Sequence, residues 1–285
     1  MTKNELRGPR YVRLFPDVYV RVTEPPADHE TWSRAAFLLV EKHGGVLGGY
    51  SAATLLGADC APRQAPAEVV VEGDRRAHPR LRVSRGPITD KDVWRGRGCR
   101  VTSPERTAWD LARRSGLVDA VVAVDALAAL RIPGMPRFAP PDLLRRRDEM
   151  PGARGCRRLD RVVVLANPLA ESPMETRLRL LLVLAGLPAP VVQHELRDHR
   201  GVVVARFDLA YPEALLAIEY DGLGHQLPEL TYDDRRRDNV TGDHGWHTMR
   251  FGHADVTITP RRTAELVRNQ RDRRLRLLAP ASNST

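Results

Sequence analysis

Lysine is almost missing from this chain: of its 45 basic residues only Lys3, Lys42 and Lys91 are lysines, and the rest are arginines. Cysteine is scarce as well. Cys60, Cys99 and Cys156 are odd in number and far apart, which excludes a disulfide framework and a CxxC metal knuckle. No apolar run approaches the length of about 18 residues that a membrane-crossing helix needs. The opening MTKNELRGPR has no apolar segment of the secretory-leader kind. Together these absences predict a soluble protein of the reducing cytoplasm, with no membrane partner.

Apolar residues make up 42% of 285, enough to give two domains their own cores and to exclude disorder throughout. The net charge of +9 is unevenly placed. Residues 168–285 hold 16 basic and 16 acidic side chains, whereas residues 1–167 hold 29 and 20. The front part therefore has the sign needed to grip a polyphosphate backbone. A merely solvated, arginine-rich surface is the plainer alternative.

Local signals divide the chain near Asn167–Ala170, into residues 1–167 and 168–285. The first part reads as a hairpin (Tyr11–Phe15 and Val18–Val22 around Pro16-Asp17). A helix capped by Asp28 and stopped at Gly44 follows, then a short one capped by Ser51 and stopped at Gly57. Strands are expected at Glu68–Glu72, Leu81–Arg85 and Cys99–Thr102. Ser103-Pro104-Glu105 opens a helix, and further helices are expected at Leu117–Arg131, Asp142–Met150 and Gly155–Ala166. The second part reads as a helix over Ser172–Leu184 with an apolar stripe at Leu178, Leu181, Leu182 and Ala185. Strands at Val191–Leu196, Val202–Ala210 and Ala214–Tyr220 come next. A polar helix over Glu229–Asp243, a strand at Trp246–Phe251 and a helix at Arg261–Leu278 complete it. This order predicts an α+β chain whose second part is an α/β/α core around a mixed sheet.

The chemistry concentrates where apolar strands finish on acids. Asp208 ends one strand and Glu219 the next, followed by Tyr220, Asp221 and Gly222, with His225 beyond. Neighbouring strands would bring Asp208 and Glu219 to one end of the sheet, and Glu219 and Asp221, two apart, share a strand face. Carboxylates gathered in this way repel, and a hard divalent cation relieves the repulsion. Each residue also has a plainer reading. Glu175 completes a capping box with Ser172. Asp208 is a turn aspartate, Asp221-Gly222 a type I′ turn and His225 a loop histidine. Arg235–Arg237 form a solvated helix face.

Ser172-Pro-Met-Glu-Thr-Arg-Leu, Phe207-Asp-Leu-Ala-Tyr-Pro-Glu, Ala217-Ile-Glu-Tyr-Asp-Gly-Leu-Gly-His, Asp234-Arg-Arg-Arg-Asp and Gly245-Trp-His-Thr-Met-Arg-Phe occur in that order. They resemble the very-short-patch-repair-like endonuclease domain of the PD-(D/E)xK, restriction-endonuclease-like superfamily. The resemblance implies a Mg²⁺-dependent nuclease, with Mn²⁺ as a substitute, acting on DNA, duplex rather than single-stranded. It makes Asp208 the PD aspartate, Glu219 the motif glutamate and Glu175 the acid of the leading helix, with Asp208, Glu219 and the Tyr220 carbonyl as metal ligands. The motif's lysine position holds Asp221, and residues 168–285 contain no lysine. His225 is then the candidate base and Arg237 the candidate fixed cation. Arg13-Leu-Phe-Pro-Asp-Val-Tyr-Val, Gly49-Tyr-Ser-Ala-Ala-Thr-Leu-Leu-Gly and Val101-Thr-Ser-Pro-Glu-Arg-Thr-Ala-Trp-Asp-Leu-Ala are similar to AbiEi-type abortive-infection antitoxins and regulators of actinobacteria. That similarity implies a nucleic-acid or protein partner, the protein being encoded elsewhere. The two function classes are thus a metal-dependent endonuclease and a DNA-binding regulator or antitoxin with an inactive nuclease fold.

Overall fold

The computed structural model describes residues 3–22, 27–73, 78–222 and 239–279. The chain is α+β, with helices and a mixed sheet in each of two compact units, Met1–Pro168 and Leu169–Thr285.

The first unit begins with a helical turn α1 (Lys3–Leu6) and an antiparallel hairpin of β1 (Tyr11–Phe15) and β2 (Val18–Arg21). Its turn places Asp17 at a φ of 60°, a conformation that aspartate tolerates better than most residues. Asp28 caps α2 (His29–Val40) by accepting the Thr31 N–H at 2.8 Å, as the sequence predicts. The expected cap at Ser51 is corrected. Helix α3 (Gly49–Leu56) starts from Gly48, and Ser51 lies buried in its first turn. There its Oγ bonds Ser33 Oγ at 2.7 Å and accepts the Glu68 N–H at 2.8 Å.

Five strands form the sheet of this unit: β3 (Val46–Leu47), β4 (Ala67–Val71), β5 (Leu81–Arg85), β6 (Val93–Gly96) and β7 (Cys99–Thr102), in the order β5-β4-β3-β7-β6. The two-residue β3, at its centre, and the edge strand β6 carry no readable alternation and escape the sequence reading. Ser103 caps α4 (Pro104–Arg114), its Oγ accepting the Arg106 N–H. Helix α5 (Leu117–Ala129) stops before the expected Arg131. Arg131 instead turns back and donates Nη1 to the carbonyls of Ala128, Ala129 and Leu130 at 3.0, 2.9 and 2.9 Å, which satisfies the helix end. Helices α6 (Asp142–Glu149) and α7 (Leu159–Leu165) follow, the latter entered through a 3₁₀ turn at Cys156–Arg158.

The second unit opens with α8 (Pro173–Leu184). Four strands, β8 (Val191–Arg197), β9 (Val203–Tyr211), β10 (Leu216–Tyr220) and β11 (His247–Phe251), lie in the order β11-β10-β9-β8. β8, β9 and β10 are antiparallel neighbours, and β11 joins β10 in parallel. Helices α9 (His253–Thr257) and α10 (Pro260–Leu278) complete the unit; the sequence reading did not include α9. One face of the sheet buries Val192, Leu209 and Ile218 against Leu178 and Leu182 of α8, each such leucine stabilising the unit by about 1.5–3 kcal/mol. The other face gathers Leu196, Phe207, Ala217 and Trp246. Ala185, predicted for the buried stripe of α8, is exposed, because the helix ends at Leu184 and Gly186 turns away at a φ of 86°. Residues 239–243 are helical; the rest of the expected Glu229–Asp243 helix lies outside the described residues.

Candidate active site

Ser172 caps α8, its Oγ accepting the Glu175 N–H at 3.1 Å. A reciprocal capping box would send the Glu175 carboxylate to the Ser172 amide. It reaches one residue further back instead, and Glu175 Oε2 accepts the Glu171 N–H at 2.9 Å and Gln193 Nε2–H at 3.0 Å. The side chain is only 8% exposed. Burial pushes the Glu175 pKa above the usual carboxylate range, and the Asp208 charge pushes it the same way; the N–H donors only partly offset them.

Asp208 does not end its strand. Leu209, Ala210 and Tyr211 continue β9 and are all buried. The Asp208 Oδ2 accepts the Tyr220 N–H at 3.0 Å, which ties β9 to the end of β10. Glu175, Gln193, Asp208 and the Tyr220 backbone therefore form one cluster. Glu219 is 7% exposed, and its Oε2 lies 3.3 Å from Nε of Arg250, its register partner on β11. By strand alternation it follows Ala217 rather than Ile218 and Tyr220. Asp221 lies just past β10 and continues the pairing with β11, its N–H reaching the Phe251 carbonyl at 2.9 Å. His225 and Arg237 lie outside the described residues.

Among the described residues, no three histidine, cysteine or acidic side chains stand together as a ready cation site. Asp208, Glu219 and the Tyr220 carbonyl offer oxygen alone, the donor type a hard ion takes, but Glu219 follows the Ala217 face and meets Arg250, whereas Glu175 and Gln193 meet on the α8 face. Two residues of this region were missed in the sequence. Gln193 had little signal, because it opens the polar run Gln193-His194-Glu195 after Val191-Val192. Arg250 stands in the Gly245–Phe251 motif, yet its place beside Glu219 depends on a parallel ladder between distant segments.

The first unit presents a different surface. In the hairpin, Tyr11 pairs with Arg21 and Arg13 with Tyr19, so the four side chains alternate across one face. Arg13 and Arg21 are exposed, and both tyrosines are half-buried. A cavity of about 620 Å³ in the same unit is lined by Glu72, Asp90, Trp94, Arg95 and Arg100 among others, a mixture that selects no single ligand charge.

An uncharacterized protein of Mycobacterium tuberculosis, found in strains CDC 1551 / Oshkosh and ATCC 25618 / H37Rv, is 31% identical over 173 residues. The match covers 60% of this chain and 62% of that relative, so the chain spans less than two thirds of its length. No family model matches the chain. No solved structure matches it either. Among the described residues, no helix is long and apolar enough to cross a membrane.

Proposed function

We propose that the second unit is a divalent-cation-dependent endonuclease that hydrolyses phosphodiester bonds of DNA in the cytoplasm. The observation that carries this reading is the bond from the Tyr220 amide to Asp208, made where the buried Glu175 is close enough for the two charges to interact. A buried carboxylate close enough to a second acid to feel its charge is costly to keep ionised, and such pairs mark sites more often than scaffolds. Asp208, Glu219 and the Tyr220 carbonyl would hold Mg²⁺ or Mn²⁺. A bound ion of this kind supplies a water of lowered pKa and neutralises charge on the scissile phosphate. Glu175, with its raised affinity for a proton, is suited to take one at its carboxylate from water near Asp208. Arg250 places a permanent positive charge beside Glu219 in a unit that has no lysine. Asp208→Ala should abolish Mg²⁺-dependent nicking of supercoiled plasmid while DNA affinity stays within about twofold, because phosphate contacts by arginine supply most of such affinity. If the wild type cuts plasmid, linear duplex and single strands no faster than Asp208→Ala, in Mg²⁺ and in Mn²⁺, the reading is wrong.

The Glu219–Arg250 ion pair and the aspartate at the lysine position favour a second reading. In it the nuclease fold is inactive and the chain is a DNA-binding regulator or antitoxin, working with a partner protein encoded elsewhere. The gripping surface would be the hairpin face of Tyr11, Arg13, Tyr19 and Arg21. Arginines reach phosphates there, and a two-stranded ribbon fits a duplex groove. Replacing Arg13 and Arg21 by glutamine should flatten the log–log salt dependence of duplex binding by about 1.8, at about 0.9 per phosphate contact. An unchanged slope would remove the hairpin from the interface.

A further inference from the structure

We infer that Gln193 is a positioning residue, held in a left-handed backbone conformation so that its amide fixes the Glu175 carboxylate beside Asp208; this deepens the nuclease reading and rests on it.

The backbone gives the first part of the argument. Gln193 has a φ of 52° inside β8, where an extended residue with negative φ is the rule. Side chains should alternate along the strand. Val192 belongs to the core on the α8 side of the sheet, while His194 lies against Phe207 and Trp246 on the opposite side. Residues of the same parity thus face opposite ways, and the reversal falls at Gln193. The register of β8 on β9, Val192 with Leu209 and His194 with Phe207, sets Gln193 opposite Asp208. β9 reverses at that same place, since Leu209 joins the α8-side core and Phe207 the other. Ordinary alternation after Val192 would turn Gln193 away from α8. The left-handed residue turns it toward α8 instead, and its Nε2–H donates to Glu175 Oε2 at 3.0 Å.

The chemistry gives the second part. A strained conformation at a residue other than glycine persists only where its surroundings hold it, and such residues gather at functional sites. Glycine would take this φ without strain, so the backbone alone does not call for glutamine. What glutamine adds is a neutral donor long enough to reach across to α8. An arginine there would neutralise the carboxylate, and an aliphatic residue would leave its Oε2 held by the Glu171 N–H alone. The amide orients Glu175 and leaves its charge available.

The test uses the full chain and Gln193→Gly, which keeps the left-handed backbone and removes the amide. Its melting temperature should equal or exceed that of the wild type. Its kcat for plasmid nicking should fall roughly tenfold to a hundredfold, the scale of a misplaced catalytic group, with KM for DNA within about twofold. A Gln193→Gly variant that nicks at the wild-type rate overturns the assignment. The second readout needs no turnover: the side-chain ¹⁵NH₂ signals of Gln193, assigned by their loss in Gln193→Gly. A charge-assisted bond separates the two amide protons, and Glu175→Gln should draw them together. If the wild type has no nuclease activity, the function proposed above fails and these signals decide the assignment of Gln193. Signals unmoved by Glu175→Gln overturn it, and signals that collapse support it.

Discussion

Both units bury carboxylates, and they treat them in opposite ways. In the first unit Asp92 is 3% exposed and is met by two arginines, Arg146 at 2.6 Å and Arg106 at 3.2 Å. Burial alone would raise its pKa, yet the hydrogen bonds from Arg146 and Thr89 and the two guanidinium charges hold it below the usual aspartate value. Glu68 is likewise buried against Arg114. In the second unit Glu175 is buried to a similar degree, but its hydrogen bonds come from neutral N–H groups and the charge that helps raise its pKa, on Asp208, is that of another acid. An acid closed off by arginines is part of the scaffold, with its charge spent on fixing segments together. An acid buried among neutral donors keeps a charge that the fold itself does not use.

The largest effect expected from this contrast is in the first unit. Asp92→Asn should destabilise it by about 3 kcal/mol near pH 7, because it takes away the carboxylate that two buried arginines share and leaves Arg106 only its ion pair with Asp110 and Arg146 only its ion pair with Glu105. Asp92 has a lowered pKa in the folded state, so its contribution is present above the ordinary value of 3.8 and is lost as pH falls through the lower folded value. Denaturant unfolding of wild type and variant should therefore converge in strong acid. If Asp92→Asn unfolds at the wild-type midpoint at pH 7, the arginines do not stabilise through this carboxylate, and the contrast between the units fails.

The parts that could be read in the sequence are those set by local chemistry. Asp28, Ser103 and Ser172 each cap the helix that follows, because an N-cap depends on a few adjacent residues. Asp208 and Glu219 fall on neighbouring antiparallel strands, because the short Pro212–Ala214 turn leaves the chain little choice but to fold back. What could not be read depends on distance or on an exception. Arg250 meets Glu219 through a parallel ladder, whose register the intervening residues do not reveal. β3 has two residues and no period to detect. Gln193 adopts a left-handed conformation that no residue type other than glycine advertises. Ser51 looked like a cap because serine prefers caps, yet tertiary contacts with Ser33 and Glu68 claim its hydroxyl. The acids of the candidate site were therefore legible as residues of two adjacent strands and one helix start, and what holds them was not.

A smaller effect, of opposite sign, is expected in the second unit. Glu175→Gln should stabilise the protein by about 1 kcal/mol near pH 8, the usual scale for one buried polar group whose charge is not compensated. The amide keeps the length of the side chain and an oxygen that can still accept the Glu171 N–H. It removes the burial cost of a charge and the repulsion from Asp208, which are the two causes that raise the Glu175 pKa. Because that pKa is raised in the folded state, the protonated form is favoured by folding. The wild type thus holds the corresponding stability below the ordinary value of 4.5 and loses it as pH rises through the higher folded value. The gain from Glu175→Gln should follow the same course, near zero below pH 4.5 and complete above the raised pKa. Thermal unfolding of both proteins across that range measures it. A variant that is less stable than wild type at pH 8 would show that Glu175 is a structural anchor like Asp92, and the distinction between the two units would no longer hold.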